Sequence, residues 1–160
     1  MTRREQREQQ FFTAFAKHGP LNINLASLQS CQPPMPDIRC EIDGNNYFFE
    51  LAEVVPEEQA QALATIGMYT IMIPDKSERG PRAMANILRQ KKLKDYDTGG
   101  APVDLLLYFN KDISIYLSDI DNAEADKTDI DLALQECKQR GRFQRIWTYD
   151  SWTDQVKQLA

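Results

Sequence analysis

Asp37 and Glu50 are the residues of this 160-residue chain best placed to do chemistry. They lie in the segment PDIRCEIDGNNYFFELAE, residues 36–53, where Asp43-Gly44-Asn45-Asn46 separates two apolar runs. The pattern predicts two short strands joined by a tight turn, with Asp37 opening the first and Glu50 late in the second. A hairpin that brings two carboxylates together is how a sheet builds a divalent-metal site for phosphate-ester chemistry. Asp37, following a proline, could also simply organise a turn. Glu50 is harder to explain structurally, because an acid between Phe49 and Leu51 interrupts an otherwise apolar strand. Two residues beyond Glu50, where a lysine would help to activate water, stands Ala52.

Other chemistries find little support. His18 is the only histidine, which excludes a histidine-rich metal centre and leaves one candidate for any Ser-His-Asp triad. No nucleophile elbow surrounds it. Cys31, Cys40 and Cys137 are an odd set without Cys-x-x-Cys spacing, as expected of reduced thiols in a cytoplasmic protein. No Gly-x-Gly-x-x-Gly follows a strand, and there is no P-loop. No apolar run approaches membrane-spanning length, and the N-terminus lacks the apolar core of a signal peptide, so no membrane association is expected.

The formal net charge of -5 disfavours tight non-specific binding of nucleic acid, yet local basic surfaces exist. Lys76, Arg79, Arg82, Arg89, Lys91, Lys92 and Lys94 fall close together, and Lys138, Arg140, Arg142 and Arg145 form a second group. Arg82, Arg89, Lys91, Lys92 and Lys94 are the candidates for contacting DNA or RNA. The plainer alternative for either group is a solvated helix face.

The elements that must position these residues follow from periodicity. Residues 4–17 predict a helix with Glu8, Phe11, Phe12 and Phe15 on one face, ended by His18-Gly19-Pro20. A weak strand is expected over 21–28, a proline-containing loop over 31–35, and strands over 37–43 and 46–54. Pro56 signals a short helix over 57–65, residues 67–74 are β-rich, and 75–81 read as an exposed connection. Residues 82–96 predict a helix with Met84, Ile87, Leu88 and Lys91 along one stripe. The apolar run VDLLLYF, 103–109, is expected to be a strand covered on both faces. A second short run at 113–117, an acidic turn over 119–129, a helix over 129–140 and a strand over 145–150 follow. Within that strand, Trp147 and Tyr149 share one face, which suits core packing better than base stacking. The closing SWTDQVKQLA suggests a short helix. The order indicates one α/β domain over 1–160, with helices packed against a mixed sheet. Apolar content of 42% and charged content of 27% are ordinary for such a domain.

This arrangement resembles the PD-(D/E)XK nuclease superfamily, the restriction-endonuclease-like fold, with its core of helix, three strands, helix and strand. Pro36-Asp37 matches the first part of the motif and Glu50 the acid of the second, while RAMANILRQKKLKDY followed by VDLLLYFN resembles the helix and buried strand downstream. The resemblance implies that Asp37 and Glu50 hold Mg²⁺ or Mn²⁺, and that Glu8 matches an upstream acid some members add to the metal shell. Ala52 departs from the pattern at the lysine. Some members carry the basic residue on the following helix, which makes Lys91 and Lys94 the candidates here. The resemblance therefore implies a catalytically degenerate relative with a binding or structural role or, alternatively, a metal-dependent nuclease acting on DNA or RNA through Asp37 and Glu50. A small protein-interaction domain with no nucleic-acid role is the third reading, in keeping with the acidic composition.

Overall fold

In a computed structural model of the chain, residues 1–54, 76–110 and 124–160 are described, with side chains over 1–54, 84–110 and 128–160. The helix over 57–65, the β-rich stretch over 67–74 and the run at 113–117 lie outside the described residues, as does the side chain of Arg82.

Helix α1 spans Arg3–His18. It starts at a capping box, in which Thr2 and Glu5 each satisfy the other's backbone N–H. It ends where the Gly19 N–H donates to the Phe15 carbonyl at 2.8 Å. A Cβ at Gly19 would come within 2.9 Å of that carbonyl oxygen, so the close approach needs glycine. Strand β1, Ile23–Ser30, pairs antiparallel with β2, Ile38–Ile42, which pairs antiparallel with β3, Asn45–Glu53. The β2–β3 connection is the two-residue turn Asp43-Gly44, with φ of 51° and 82°, the left-handed geometry that matches strand twist and suits an Asp-Gly pair.

Helix α2 spans Lys76–Lys91, strand β4 Val103–Phe109, helix α3 Glu124–Arg140, strand β5 Ile146–Asp150 and strand β6 Gln155–Gln158. The six strands form one mixed sheet in the order β1-β2-β3-β4-β5-β6. The central strands β3, β4 and β5 are parallel, and β6 returns antiparallel to β5. Alternation along β3 sorts its side chains. Phe49 and Leu51 join Phe12 and Phe15 of α1 on one face of the sheet. Phe48, Ala52 and Val54 join Met84 and Leu88 of α2, with Ala133 and Cys137 of α3, on the other. Strand β4 is buried along its whole length, as its apolar run requires. Trp147 and Tyr149 are buried in the core on the α1 side.

Several sequence expectations need correction. Helix α2 begins at Lys76, so Gly80 and Pro81 lie within it instead of ahead of it. It stops at Lys91, five residues short of 96, where the Leu93 N–H reaches Gln90 O and the Lys94 N–H reaches Lys91 O in tightened turns. Lys94 is therefore not a helix residue. Helix α3 takes up residues 124–129 of the expected acidic turn. The terminal segment is a strand, not a helix. Asp154, at φ 55°, closes a turn, and β6 pairs with β5 from Asp150↔Gln155 to Trp147↔Gln158. Ladder bonds to a sheet edge outweigh the modest helical propensity of a short tail. No described helix is long and apolar enough to cross a membrane.

Candidate functional site

The β2–β3 register sets the geometry of the site. Ile38 pairs with Phe49, and one step further along this antiparallel ladder Asp37 comes opposite Glu50. The Asp37 carboxylate is fixed by accepting a hydrogen bond from the Leu51 N–H, 2.8 Å from Oδ2. It thus ties the start of β2 to the centre of β3 instead of organising a turn. Burial raises the Asp37 carboxyl to about 6, with the negative charge of Glu50 as the second cause. The Leu51 N–H and the charge of Lys91 act against that rise, and the charge of Glu8 adds to it. The charge of Glu50 is therefore close enough to make ionisation of Asp37 more costly.

Glu50 is 4% exposed. Its Oε1 accepts from Lys91 Nζ at 2.6 Å, and Lys94 Nζ stands 3.7 Å away. Lys91 reaches it because the last turn of α2 continues the stripe of Met84 and Leu88, both buried against the sheet. Ala52 lies on the same face of β3 as Glu50 and packs at the edge of that core. A side chain from the helix thus supplies the ammonium group that position 52 lacks. Glu53, next in sequence, faces the α1 side, where Asn110 Nδ2 donates to it at 3.3 Å.

Glu8 is 6% exposed on the inward face of α1. Its Oε1 accepts from Arg4 Nε at 2.7 Å, and Arg4 Nη2 stands 3.4 Å from Asp37 Oδ1. Arg4 thereby bridges the two acids, and the Glu8 hydrogen bond raises the already high proton affinity of the guanidinium. Among the described residues no three His, Cys, Asp or Glu side chains form a group that could hold a metal ion, so Glu8 does not complete a three-acid cage with Asp37 and Glu50.

The basic candidates separate. Lys91 and Lys94 belong to the carboxylate site. Arg89 makes a paired contact with Asp129 at 2.6 and 3.2 Å, and Lys92 Nζ meets Glu136 at 2.6 Å. Those two residues lock α2 to α3 across acids of the partner helix. Arg142 pairs with Asp95. Arg145 is part of a buried network. Asp104, fully buried, accepts from Tyr47 Oη at 3.0 Å, the Arg145 N–H at 3.1 Å, Arg145 Nε at 2.8 Å and Trp147 Nε1 at 2.8 Å. Four donors on one carboxylate make this a satisfied structural centre.

Two residues of the carboxylate site escape sequence reasoning. Arg4 carries a signal, its i,i+4 spacing to Glu8. Tyr96 carries none, because it sits in what reads as a helix tail. Its hydroxyl lies near Glu50, whose charge adds to burial in raising the phenol's proton affinity.

The pair Asp37 and Glu50 suits Mg²⁺ or Mn²⁺ in donor type and charge. Both ions favour carboxylate oxygens, and Mg²⁺ sites commonly use one or two carboxylates, with waters and phosphates completing the shell. The reluctance of Asp37 to ionise beside Glu50 marks a place short of positive charge. Lys91 meets that need by direct contact at Glu50, and its charge offsets the rise at Asp37 only in part.

No family model matches the chain, and no curated protein matches it. Among solved structures it is similar to Pyrococcus furiosus SfsA in complex with Ca²⁺, at 14% identity and a TM-score of 0.34. The match covers 97% of this chain but 63% of that one, so this chain spans less than two thirds of its neighbour. So distant a likeness assigns no function.

Proposed function

We propose that the chain is a restriction-endonuclease-like domain that hydrolyses phosphodiesters of DNA or RNA with a divalent metal, using a lysine displaced onto the helix after the motif strands. The observation that carries this reading is Lys91 Nζ at 2.6 Å from Glu50 Oε1, on the face of β3 where Ala52 leaves room. Among the described residues, helix α1, the three antiparallel strands, α2 and β4 come in the order that the resemblance implies. Asp37 and Glu50 would hold Mg²⁺ or Mn²⁺, which when bound polarises a phosphate and acidifies a water. Lys91 would pass from Glu50 to a phosphate oxygen or the attacking water, a role suited to a hydrogen-bond donor on a long side chain. Arg4, exposed at the rim, would keep Glu8 and Asp37 oriented.

The test is cleavage of labelled DNA and RNA with Mg²⁺ or Mn²⁺. Activity should disappear in chelator, in Asp37→Ala and in Glu50→Ala. Cleavage that survives both substitutions would overturn the assignment.

A second reading keeps the fold and drops the chemistry. The ion pairs of Arg4 with Glu8 and of Lys91 with Glu50 already neutralise two of the three acids, as in a degenerate site kept for binding or structure. Failure of Mn²⁺ to bind, detected by calorimetry, would favour it.

A further inference from the structure

Arg4 stands in the first turn of α1, and the helix itself does not account for it. The N-terminal end of a helix carries partial positive charge, so a cation there is unfavourable. The pairing with Glu8 also runs in the less favourable direction, with the base N-terminal to the acid at i,i+4. The partner is costly too. Glu8 is 6% exposed and, among the described residues, accepts only from Arg4 Nε, at 2.7 Å. A buried carboxylate spent on one arginine asks for a reason outside the helix.

The guanidinium supplies one. Holding Nε fixes the whole fork, because the group is rigid and planar. Nη2 then comes 3.4 Å from Asp37 Oδ1, a long contact, and Nη1 makes no hydrogen bond among the described residues. The Arg4 side chain is 68% exposed. Arg4 is thus anchored by a buried acid, touches one acid of the proposed metal seat, and keeps donors unused on a largely exposed side chain. Asp37 also senses the charges of Glu50, Glu8 and Lys91, so Arg4 meets the site at the acid that the others share.

An anion drawn to Asp37 by a cation comes within reach of this guanidinium. A phosphodiester suits it, being negatively charged and all acceptor at its free oxygens, and arginine favours phosphate through paired N–H groups.

We propose that Arg4 is a ligand of the substrate phosphate that docks at Asp37, and that Glu8 is the positioning residue that aims it. Glu8 then serves the arginine and not the metal. As the strand arrives, Arg4 exchanges its long contact with Asp37 for a phosphate oxygen and keeps its short one with Glu8. The inference rests on the nuclease reading for the identity of the ligand, but it can be read without cleavage.

The experiment measures two affinities on the whole protein. Mn²⁺ is titrated by calorimetry without nucleic acid, and a labelled single-stranded oligonucleotide is titrated by fluorescence anisotropy in Ca²⁺ over a range of salt. Arg4→Gln should weaken the oligonucleotide at least about fivefold and flatten its log–log salt slope by about 0.7, the value for one phosphate contact on a single strand. The same substitution should leave Mn²⁺ binding equal or tighter, because it removes a competing cation from Asp37. Glu8→Gln should also weaken the oligonucleotide, yet add less than about twofold to Arg4→Gln, because it acts through Arg4. An oligonucleotide affinity and slope unmoved in Arg4→Gln would overturn the phosphate contact. A fall of more than about tenfold in Mn²⁺ affinity in Glu8→Gln would mark a metal ligand and overturn its assignment to Arg4. Binding that depends on Arg4 without any cleavage in Mg²⁺ or Mn²⁺ would leave the contact standing and remove the nuclease reading. Cleavage with binding indifferent to Arg4 would do the reverse.

Discussion

Replacing Asp37 by asparagine should stabilise the protein at neutral pH and, on the proposed nuclease reading, abolish cleavage. The carboxyl is raised from 3.8 to about 6 in the folded chain, chiefly by burial and then by the charge of Glu50. Between those two pH values the folded state binds more protons than the unfolded one. Stability therefore falls as pH rises through that window and stays lowered above it. At about 1.4 kcal/mol per pH unit the full cost at pH 7.5 is about 3 kcal/mol. The side chain keeps 17% of its surface in water, so ~1–3 kcal/mol is the range to expect. Asparagine is neutral and retains an oxygen to accept from the Leu51 N–H. Asp37→Asn should thus melt higher by roughly 2–10 °C at pH 7.5, with the gain shrinking towards zero near pH 4, where the native aspartate is protonated too. Thermal unfolding of both proteins from pH 4 to 8 measures this directly. Mg²⁺ should raise the melting temperature of the native protein and leave the variant nearly unmoved. A variant that is less stable at pH 7.5, or a difference that does not change with pH, would refute the reasoning.

Three further outcomes are expected. Lys91→Ala leaves a buried carboxylate without its nearest cation and should cost ~1–4 kcal/mol in a urea titration, part of the loss being covered by Lys94; Lys94→Ala should cost under about 1 kcal/mol. Ala52→Lys should bring no gain in cleavage to the native protein, yet restore at least about tenfold to Lys91→Ala, because positions 50 and 52 share a face of β3. Asp104→Asn should destabilise by about 3–5 kcal/mol, since it leaves the Arg145 guanidinium uncompensated, while metal binding at Asp37 and Glu50, measured by calorimetry, stays intact.

The Asp-Gly turn, the apolar run of β4 and the aromatic face of α1 could be read from the sequence because each depends on neighbours in the chain. Glu50 could also be singled out, because a charge within an apolar strand is anomalous wherever the strand sits. The pairing of Lys91 with Glu50 could only be raised as one option, since it depends on where α2 crosses the sheet. Arg89 and Lys92 looked the same as Lys91 in a run of positive charge. Only the position of α3 shows that they face acids instead of solvent. Asp104 was hidden for the opposite reason. Its run reads as continuous apolar strand, and its four donors come from the backbone and side chain of Arg145 and from Tyr47 and Trp147, distant in sequence or on another strand. The tail was misread because a short polar segment takes its conformation from the edge it docks on.

The two halves of the carboxylate site belong to parts of the molecule with different mechanical character. Glu50 sits on β3, a strand held by an antiparallel neighbour on one side and a parallel neighbour on the other. Amides along that strand should exchange with solvent only through the largest unfolding events, so Glu50 is carried by the slowest-opening unit of the fold, and Asp37 is tied to it through the Leu51 N–H. Lys91 and Lys94 sit where α2 unwinds into single turns, on long side chains that can change rotamer without disturbing the sheet. An incoming cation would therefore meet an acidic seat that stays fixed while its ammonium occupants step aside. Binding would require no rearrangement of backbone, and its rate would be set by side-chain rotation and by the loss of water from the ion.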